Sequence, residues 1–183
     1  MKSDQRATRG NEAVRPKSGK SALRIPEAGQ CNGTTLRKAT RRVSQLYDVI
    51  MAPCGLRSTQ LSILAHIARA GRRSIGEIAS SLVLDRSALA HNLKPLERDG
   101  FIQIVVDADD KRSRIAVLTK AGYAKVAEAI PLWDHAQKCF ESIFGVKKAE
   151  SLRASLEILA SADFAQRFRR LEALRQKGNE SEP

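Results

Sequence analysis

The sequence predicts a mainly α-helical protein with one small β-hairpin, and three observations support this fold class. Apolar residues recur every three to four positions along most of residues 36–174, which is the period of an α-helix. Two short helical segments are separated by a tight turn at residues 83–85. Two alternating strands then flank a basic loop, and residues 110–122 lead straight into another helix. Together these features predict a winged helix-turn-helix domain joined to a helical dimerisation region.

The charge balance favours an anionic partner. Lys and Arg number 32 against 20 Asp and Glu, which gives 183 residues a formal net charge of +12. A basic excess of this size is typical of proteins that bind double-stranded DNA. A membrane surface is the competing partner, but we find no run of about eighteen apolar residues, no signal peptide and no lipidation motif. We therefore expect a cytoplasmic protein that binds no membrane.

The chain divides into five predicted segments. Residues 1–30 carry seven Lys or Arg against three acidic residues and have no apolar period, which predicts a disordered basic tail; added phosphate contacts to DNA are its functional alternative. Residues 31–57 hold the first helix, in a dimerisation and ligand region. Residues 58–118 form the DNA-binding domain, residues 119–174 the carboxy-terminal dimerisation helices, and residues 175–183 a flexible tail.

The first helix carries a single apolar stripe, and Pro53 and Gly55 end it. The stripe consists of Leu36, Ala39, Val43, Leu46, Tyr47 and Ile50. A second helix is predicted from Ser58 to Arg69, with Gly71 as its stop signal. Both helices are expected to pack by these apolar faces.

Capping residues predict the two helices of the helix-turn-helix. Ser74 and Glu77 form a Ser-x-x-Glu capping box, in which each side chain accepts a hydrogen bond from a free backbone donor. Asp85 is placed to cap the next helix after the turn. Three leucines in that helix recur at spacings of four and three and are expected to face the core: Leu89, Leu93 and Leu96.

The opposite face of this fourth helix is the predicted DNA-reading surface, because an α-helix fits the major groove and its amino-terminal half approaches base edges. Four residues are placed to reach bases: Arg86, Ser87, Ala90 and His91. Two deeper residues suit phosphates better: Lys94 and Arg98. A solvated polar face is the alternative for all six residues.

The hairpin that follows is the predicted wing. Its first strand alternates Ile102, Ile104 and Val106, and its returning strand contains Ile115 and Val117. The loop between them carries three cations that fit a minor groove, whose negative potential attracts arginine: Lys111, Arg112 and Arg114. Arg112 is expected to make the main contact, and Asp110 to orient it through a charge-assisted hydrogen bond. An ordinary polar loop is the alternative.

With these motifs the chain resembles the multiple-antibiotic-resistance regulator (MarR) family of bacterial winged-helix transcription factors over about residues 36–159. The motifs are Asp110-Lys111-Arg112 in the wing, Leu118-Thr119-Lys120-Ala121-Gly122 at the next helix, and Leu93, Leu96 and Gly100 around the end of the recognition helix. The resemblance implies a homodimer that reads a palindromic operator, and in most members repression until a ligand or oxidant acts. Ala88 departs from the pattern, because many members carry a hydroxyl residue there.

Dimerisation also has independent support in the sequence. Thr119 is placed to cap a long helix, which Pro131 is expected to kink, and a last helix is predicted from Lys148 to Leu174. Apolar residues are spread along the long helix: Tyr123, Val126, Ile130, Trp133 and Phe140. One small wing domain cannot bury so much apolar surface. A two-fold interface is therefore expected, with recognition helices roughly 34 Å apart on an inverted repeat.

Two kinds of signal are compatible with the sequence. The resemblance implies a pocket for a small aromatic or acidic ligand, lined by the first, second and fifth helices. Its candidate residues, each with an ordinary structural or solvated role as the alternative, are Tyr47, His66, Trp133, Arg37 and Arg41. Cys31 is the candidate redox residue because it lies near a helix start, where the helix dipole favours the thiolate. It resembles the sensing cysteine of organic-hydroperoxide-sensing members, although it lies about two residues earlier.

Other function classes fit the sequence less well. A Gly-rich phosphate loop, a nucleophile elbow and a cluster of His and carboxylates at metal spacing are all missing from the motifs we find. Cys31, Cys54 and Cys139 likewise match no metal spacing. An enzyme, a cofactor and a metal are therefore not expected. A non-specific architectural DNA-binding protein remains an alternative, because charge alone would serve it.

Overall fold

The computed structural model describes residues 27, 29–71 and 73–179, with side chains as far as residue 176. These residues belong to two compact units, one ending at Lys38 and the other beginning at Ala39. Nearly all of the predicted basic tail of residues 1–30 lies outside the described residues, as do residues 180–183.

Seven α-helices and one β-hairpin make up the described part of the chain, which confirms the predicted fold class. In chain order they are α1 (Asn32–Met51), a short 3-10 turn (Ala52–Cys54), α2 (Ser58–Ala70), α3 (Ile75–Ser81), α4 (Arg86–Arg98), β1 (Ile102–Val106), β2 (Arg114–Leu118), α5 (Lys120–Phe144), α6 (Val146–Ala160) and α7 (Ala162–Asn179). None of the described helices is both long and apolar enough to cross a membrane.

Local hydrogen bonds set the helix-turn-helix as its sequence predicts. The backbone N–H of Ser74 donates to Glu77 Oε2 at 2.8 Å, and the N–H of Glu77 donates to Ser74 Oγ at 3.2 Å. Asp85 Oδ1 accepts from the N–H of Ala88 at 2.6 Å and so caps α4. The turn between α3 and α4 contains Val83 at a φ of 53°, a left-handed conformation that is uncommon for a β-branched residue. The capping box and the cap of α4 are confirmed.

The core lies beneath the recognition helix. Leu89, Leu93 and Leu96 of α4 are each 0% exposed and pack in one apolar cluster with residues of α2, α3 and β1. This confirms the predicted buried face of α4. Because the leucine side of α4 is buried, the polar side of α4 faces solvent.

The two strands of the hairpin pair in a regular antiparallel register, as their alternation predicts. Ile102 pairs with Leu118 and Ile104 with Ala116, so these residues share one face. Ile115 pairs with Val105, with both side chains on the other face, and Ile115 is 1% exposed. Ser74 also forms an isolated antiparallel bridge to Ile115, so the segment before α3 pairs with the edge of β2, which the alternation alone did not indicate.

The carboxy-terminal helices correct the prediction of one last helix. Ser161 separates α6 from α7, because its Oγ donates to the carbonyl of Ile158 at 2.7 Å and accepts from the N–H of Phe164 at 3.1 Å. Ser161 itself is extended, with a ψ of 150°, so it ends one helix and begins the next. Helix α7 then continues to Asn179, past residue 175, where the flexible tail was expected to begin.

Candidate nucleic-acid interface

The polar face of α4 is exposed along its whole length. Leucines occupy the buried side, and all six predicted contact residues lie on the solvent side: Arg86, Ser87, Ala90, His91, Lys94 and Arg98. The buried leucines hold the helix rigidly, since a packed core does not deform continuously. The arrangement therefore presents polar and cationic groups from one fixed element.

The first turn of α4 is tightly organised around Asp85. Its Oδ1 accepts from the N–H of Ala88 and from the hydroxyl of Ser87, the latter at 2.7 Å. These two hydrogen bonds, with the Ala88 bond the larger cause, lower the pKa of the Asp85 carboxyl. Because the Ser87 hydroxyl donates its proton to Asp85, the Ser87 oxygen remains available only as a hydrogen-bond acceptor.

Arg86 lies against helix α3. An added Cβ on Gly76 would stand 2.9 Å from Nη2, 3.0 Å from Nε and 3.2 Å from Cζ of Arg86. Three atoms of the Arg86 guanidinium are thus at nearly the same distance from the position of that added Cβ. The guanidinium therefore covers the backbone of α3 at Gly76. Both residues line the same depression between α3 and α4.

The second half of α4 adds an exposed ion pair and an amide. Arg98 Nε donates to Asp99 Oδ1 at 2.9 Å, an exposed pair that contributes little to stability and can exchange for a phosphate. Asn92 donates from its amide to the carbonyl of Ala88 at 2.9 Å and is exposed beside His91.

The wing loop is held by its own backbone. The Arg112 N–H donates to Asp110 Oδ1 at 3.0 Å, and the Ser113 N–H donates to the Asp110 carbonyl at 2.8 Å. Asp110 therefore orients the backbone of the turn, and the expected bond to the Arg112 guanidinium is replaced by this contact. Arg114 Nη1 donates to the carbonyls of Lys111 and Ser113 at 3.1 and 3.2 Å. Arg114 thus shapes the loop, while Lys111 and Arg112 are exposed at its tip.

A groove between α2 and α5 contains one predicted ligand residue in its lining. Its volume is about 340 Å³, and its lining comprises Ser58, Leu61, Ser62, Ala65, Ala68, Arg69, Val126, Ile130 and Trp133. Of the predicted candidates only Trp133 is in this lining. The first helix contributes none of these residues, and the expected lining by the first, second and fifth helices stays a prediction.

The other ligand candidates have different surroundings. The hydroxyl of Tyr47 donates to Gln137 Oε1 of α5, and burial is the main cause that raises its pKa. His66 Nδ1 lies 2.9 Å from the carbonyl of Ser62 in its own helix. The Tyr47 contact joins α1 to α5, and the His66 contact lies within α2. Arg37 and Arg41 are exposed on α1.

The three cysteines occupy different environments. Cys31 directly precedes α1 and is exposed, and hydrogen bonds from Thr34, led by its side chain, lower the pKa of the thiol. Cys54 is buried and its thiol donates to the carbonyl of Met51 at 3.1 Å. Cys139 is half-buried, with Sγ 3.7 Å from His135 Nε2. The described residues contain no group of three or more His, Cys, Asp or Glu side chains that would hold a metal ion.

Comparisons with known proteins agree with this geometry. Residues 56–113 match the MarR family. The transcriptional activatory protein BadR of Rhodopseudomonas palustris is 35% identical over 71 residues, which span 37% of this chain and only 41% of BadR. The M. tuberculosis transcriptional regulator MosR, solved in complex with DNA, is 33% identical with a TM-score of 0.66, over 75% of this chain and 99% of MosR. The transcriptional repressor CouR, bound to a 23-mer DNA duplex, is 27% identical with a TM-score of 0.67, over 77% and 100% of the respective chains.

Proposed function

The chain belongs to the MarR family of winged helix-turn-helix transcriptional regulators, and on that basis we propose that it represses transcription from an inverted-repeat operator. In this proposal a homodimer holds double-stranded DNA until a small-molecule ligand releases it. Members of the family are transcriptional regulators and not enzymes, in agreement with the expectation from the sequence. BadR is named an activator and CouR a repressor, so the direction of regulation is part of the proposal.

The observation that carries this proposal is the exposed cationic face on a rigid recognition helix. Arg86, Lys94 and Arg98 are exposed on a helix whose opposite side carries three leucines that are 0% exposed. Lys111 and Arg112 add charge at the wing tip. A helix for the major groove and a cationic wing for the minor groove are the two elements that a winged helix needs to grip a duplex.

Uncovered apolar side chains on the terminal helices support the homodimer. Ile143 of α5 is 89% exposed and Phe168 of α7 is 66% exposed. Further large apolar residues are exposed on α1, α5, α6 and α7: Leu46, Val49, Tyr123, Ile130, Phe144, Leu152, Leu156, Leu159, Phe164, Leu171 and Leu174. Exposed apolar surface on this scale is typical of a protein interface. A two-fold axis would bury it and pair the recognition helices.

The groove between α2 and α5 supports release by a small ligand. Its volume of about 340 Å³ is in the range of small-molecule pockets, which are mainly apolar with few polar groups. Leu61, Ile130 and Trp133 supply apolar walls, and Arg69 supplies a cation for an acidic group. Trp133 is the one tryptophan of the chain, so quenching of its fluorescence by aromatic carboxylates measures binding, and Arg69→Gln is expected to weaken it.

The experiment that tests the regulator begins with duplexes selected by the wild-type protein from a random library. Fluorescence anisotropy then compares the selected duplex with a scrambled duplex over several salt concentrations. We expect an inverted repeat with half-sites about 10 bp apart, bound roughly 10³-fold or more tightly than the scramble. Equal affinities that fall together as salt rises would instead favour the architectural protein, since counterion release alone would explain them.

Arg112→Ala tests the wing. We expect binding to the selected duplex to weaken by roughly 5-fold or more, as for loss of one good DNA contact, with no change in thermal unfolding because the side chain is exposed. Arg42→Ala makes the same change at another exposed position on α1 and serves as the control. Unchanged affinity in the wing variant would contradict the assignment of the wing.

Oxidation is a second candidate signal, and the lowered pKa of the Cys31 thiol favours it. The thiolate would attack the terminal oxygen of a hydroperoxide and break the O–O bond, which gives a sulfenic acid and an alkoxide. The alkoxide takes a proton from water and leaves as an alcohol. If this is the signal, cumene hydroperoxide releases the wild-type protein from DNA and leaves Cys31→Ser bound. Release of both proteins would exclude Cys31 as the sensor.

A further inference from the structure

We propose that Gly76 on α3 is a positioning residue for DNA recognition. Its missing side chain lets the Arg86 guanidinium lie against α3, and this contact sets the direction in which Arg86 meets DNA. The inference rests on the proposed function of the α4 face. It assigns to the first helix of the helix-turn-helix a task in reading DNA in addition to its packing.

The geometry leaves no room for any other residue at position 76 while Arg86 keeps its place. A methyl group on Gly76 would stand 2.9 to 3.2 Å from three atoms of the guanidinium, which is closer than nearly all real contacts of a Cβ atom. The α3 backbone behind this contact is held by the Ser74 capping box and by the Ser80 hydroxyl, which donates to the Gly76 carbonyl at 3.0 Å. The surface that meets Arg86 is therefore a fixed one.

A fixed surface matters because arginine is long and loses much rotamer freedom when it binds. Ordering one such side chain weakens association by roughly 2- to 12-fold. Contact with α3 orders Arg86 before DNA arrives, so part of that loss is removed from the binding step. Arg86 is also the first residue of α4, the part of a recognition helix that approaches base edges.

Gly76→Ala separates this role from a structural one. The atoms in the way belong to the far end of a flexible side chain, so Arg86 moves aside and the core is not disturbed. Alanine favours a helix more than glycine does, so the thermal midpoint is expected to stay the same or rise. The matched control is Gly33→Ala, a helical glycine whose added methyl meets nothing within 4 Å.

The first experiment is a double-mutant cycle on the selected duplex. Arg86→Ala is expected to weaken binding by roughly 5- to 150-fold, and Gly76→Ala by roughly 2- to 12-fold, with relaxed preference at the same base pair. In the double variant Gly76→Ala should add nothing. Wild-type affinity in Gly76→Ala overturns the proposal. An undiminished loss in the Arg86→Ala background also overturns it, because position 76 would then act on DNA by itself.

The second experiment needs no DNA and separates failure of this inference from failure of the proposed function. The ¹⁵N relaxation of the Arg86 Nε–Hε group in the free protein is expected to report an ordered side chain, and Gly76→Ala to make it as mobile as exposed Arg42. An Arg86 group already that mobile in the wild type overturns the proposal. If the wild type does not prefer the selected duplex over the scramble, the regulator proposal fails while the relaxation result still decides the role of Gly76.

Discussion

Gly122→Ala is expected to destabilise the protein although helix propensity predicts the opposite. Gly122 lies in the first turn of α5, where alanine is normally more favourable than glycine by about 1 kcal/mol. The Cβ of an alanine there would stand 2.0 Å from the carbonyl oxygen of Phe101 and 3.3 Å from Leu118 Cδ2. To reach an ordinary contact, the first of these distances has to increase to at least 3.4 Å.

That carbonyl cannot easily move. The Phe101 oxygen accepts a hydrogen bond from the N–H of Thr119 at 3.0 Å. The Phe101 N–H donates to the carbonyl of Leu96, near the end of α4, at 2.9 Å. Thr119 Oγ1 also caps α5 by accepting from the N–H of Gly122 at 3.0 Å and donates to the carbonyl of Gly100 at 2.7 Å. Moving Gly122 away from Phe101 therefore breaks either the Thr119 cap, if Thr119 stays in place, or the two hydrogen bonds that Thr119 donates to Gly100 and Phe101, if Thr119 moves with α5.

The magnitude follows from these contacts. Loss of the cap costs about 1 kcal/mol, and loss of the two Thr119 hydrogen bonds instead costs about 2 kcal/mol. Residual overpacking adds about 1–3 kcal/mol, and the gain in helix propensity offsets about 1 kcal/mol. Gly122→Ala should thus lower the free energy of unfolding by about 1–4 kcal/mol.

Urea unfolding followed by circular dichroism measures this change. All variants are compared at one protomer concentration, because unfolding of the proposed homodimer depends on concentration. Gly33→Ala is the control and is expected to raise the free energy of unfolding by up to about 1 kcal/mol. A Gly122→Ala protein as stable as the wild type would refute the reasoning, since α5 could then be moved from Phe101 without cost.

Three further outcomes are expected. Leu93→Ala should lower the free energy of unfolding by roughly 2–5 kcal/mol in the same urea assay, because the side chain is 0% exposed; full stability would mean that the cavity collapses. Hydrogen bonds from the backbone and hydroxyl of Ser74 lower the pKa of Glu77, so its stabilisation is complete above the ordinary value of 4.5 and is lost as pH falls below it; Glu77→Gln should flatten that part of the pH dependence of unfolding. Cys31 should be alkylated by iodoacetamide at neutral pH before Cys54, which is 5% exposed, and mass spectrometry of the peptides would reveal the reverse order.

The parts of the fold that the sequence predicted are those set by local chemistry. The Ser74 capping box, the Asp85 cap and the Thr119 cap each depend on residues within three positions of one another. The burial of Leu89, Leu93 and Leu96 follows from a spacing that one helix imposes. These signals need no knowledge of what the element packs against, so the sequence is sufficient to predict them.

The break at Ser161 and the contacts in the wing are features that spacing and charge in the sequence do not predict. Apolar residues continue at helical spacing across Ser161, because Leu156 and Phe164 lie on either side of it, so periodicity indicates no interruption. The interruption between α6 and α7 comes from the Ser161 hydroxyl, which bonds to the last turn of α6 and caps α7. In the wing, the charges of Asp110 and Arg112 favour a side-chain pair, whereas the tight turn brings the backbone N–H closer.

Gly76 and Gly122 show the same limit of sequence-based prediction, because each glycine faces a residue from another segment of the chain. Both glycines lie in helices at ordinary negative φ, so neither position needs glycine for its backbone conformation. The sequence around each glycine therefore does not show that the two positions differ. What differs is the opposing group: a fixed carbonyl at Gly122 and the flexible end of Arg86 at Gly76. The same alanine substitution is therefore expected to change stability at the first position and DNA recognition at the second. Such a separation follows only from which atoms face each glycine in three dimensions.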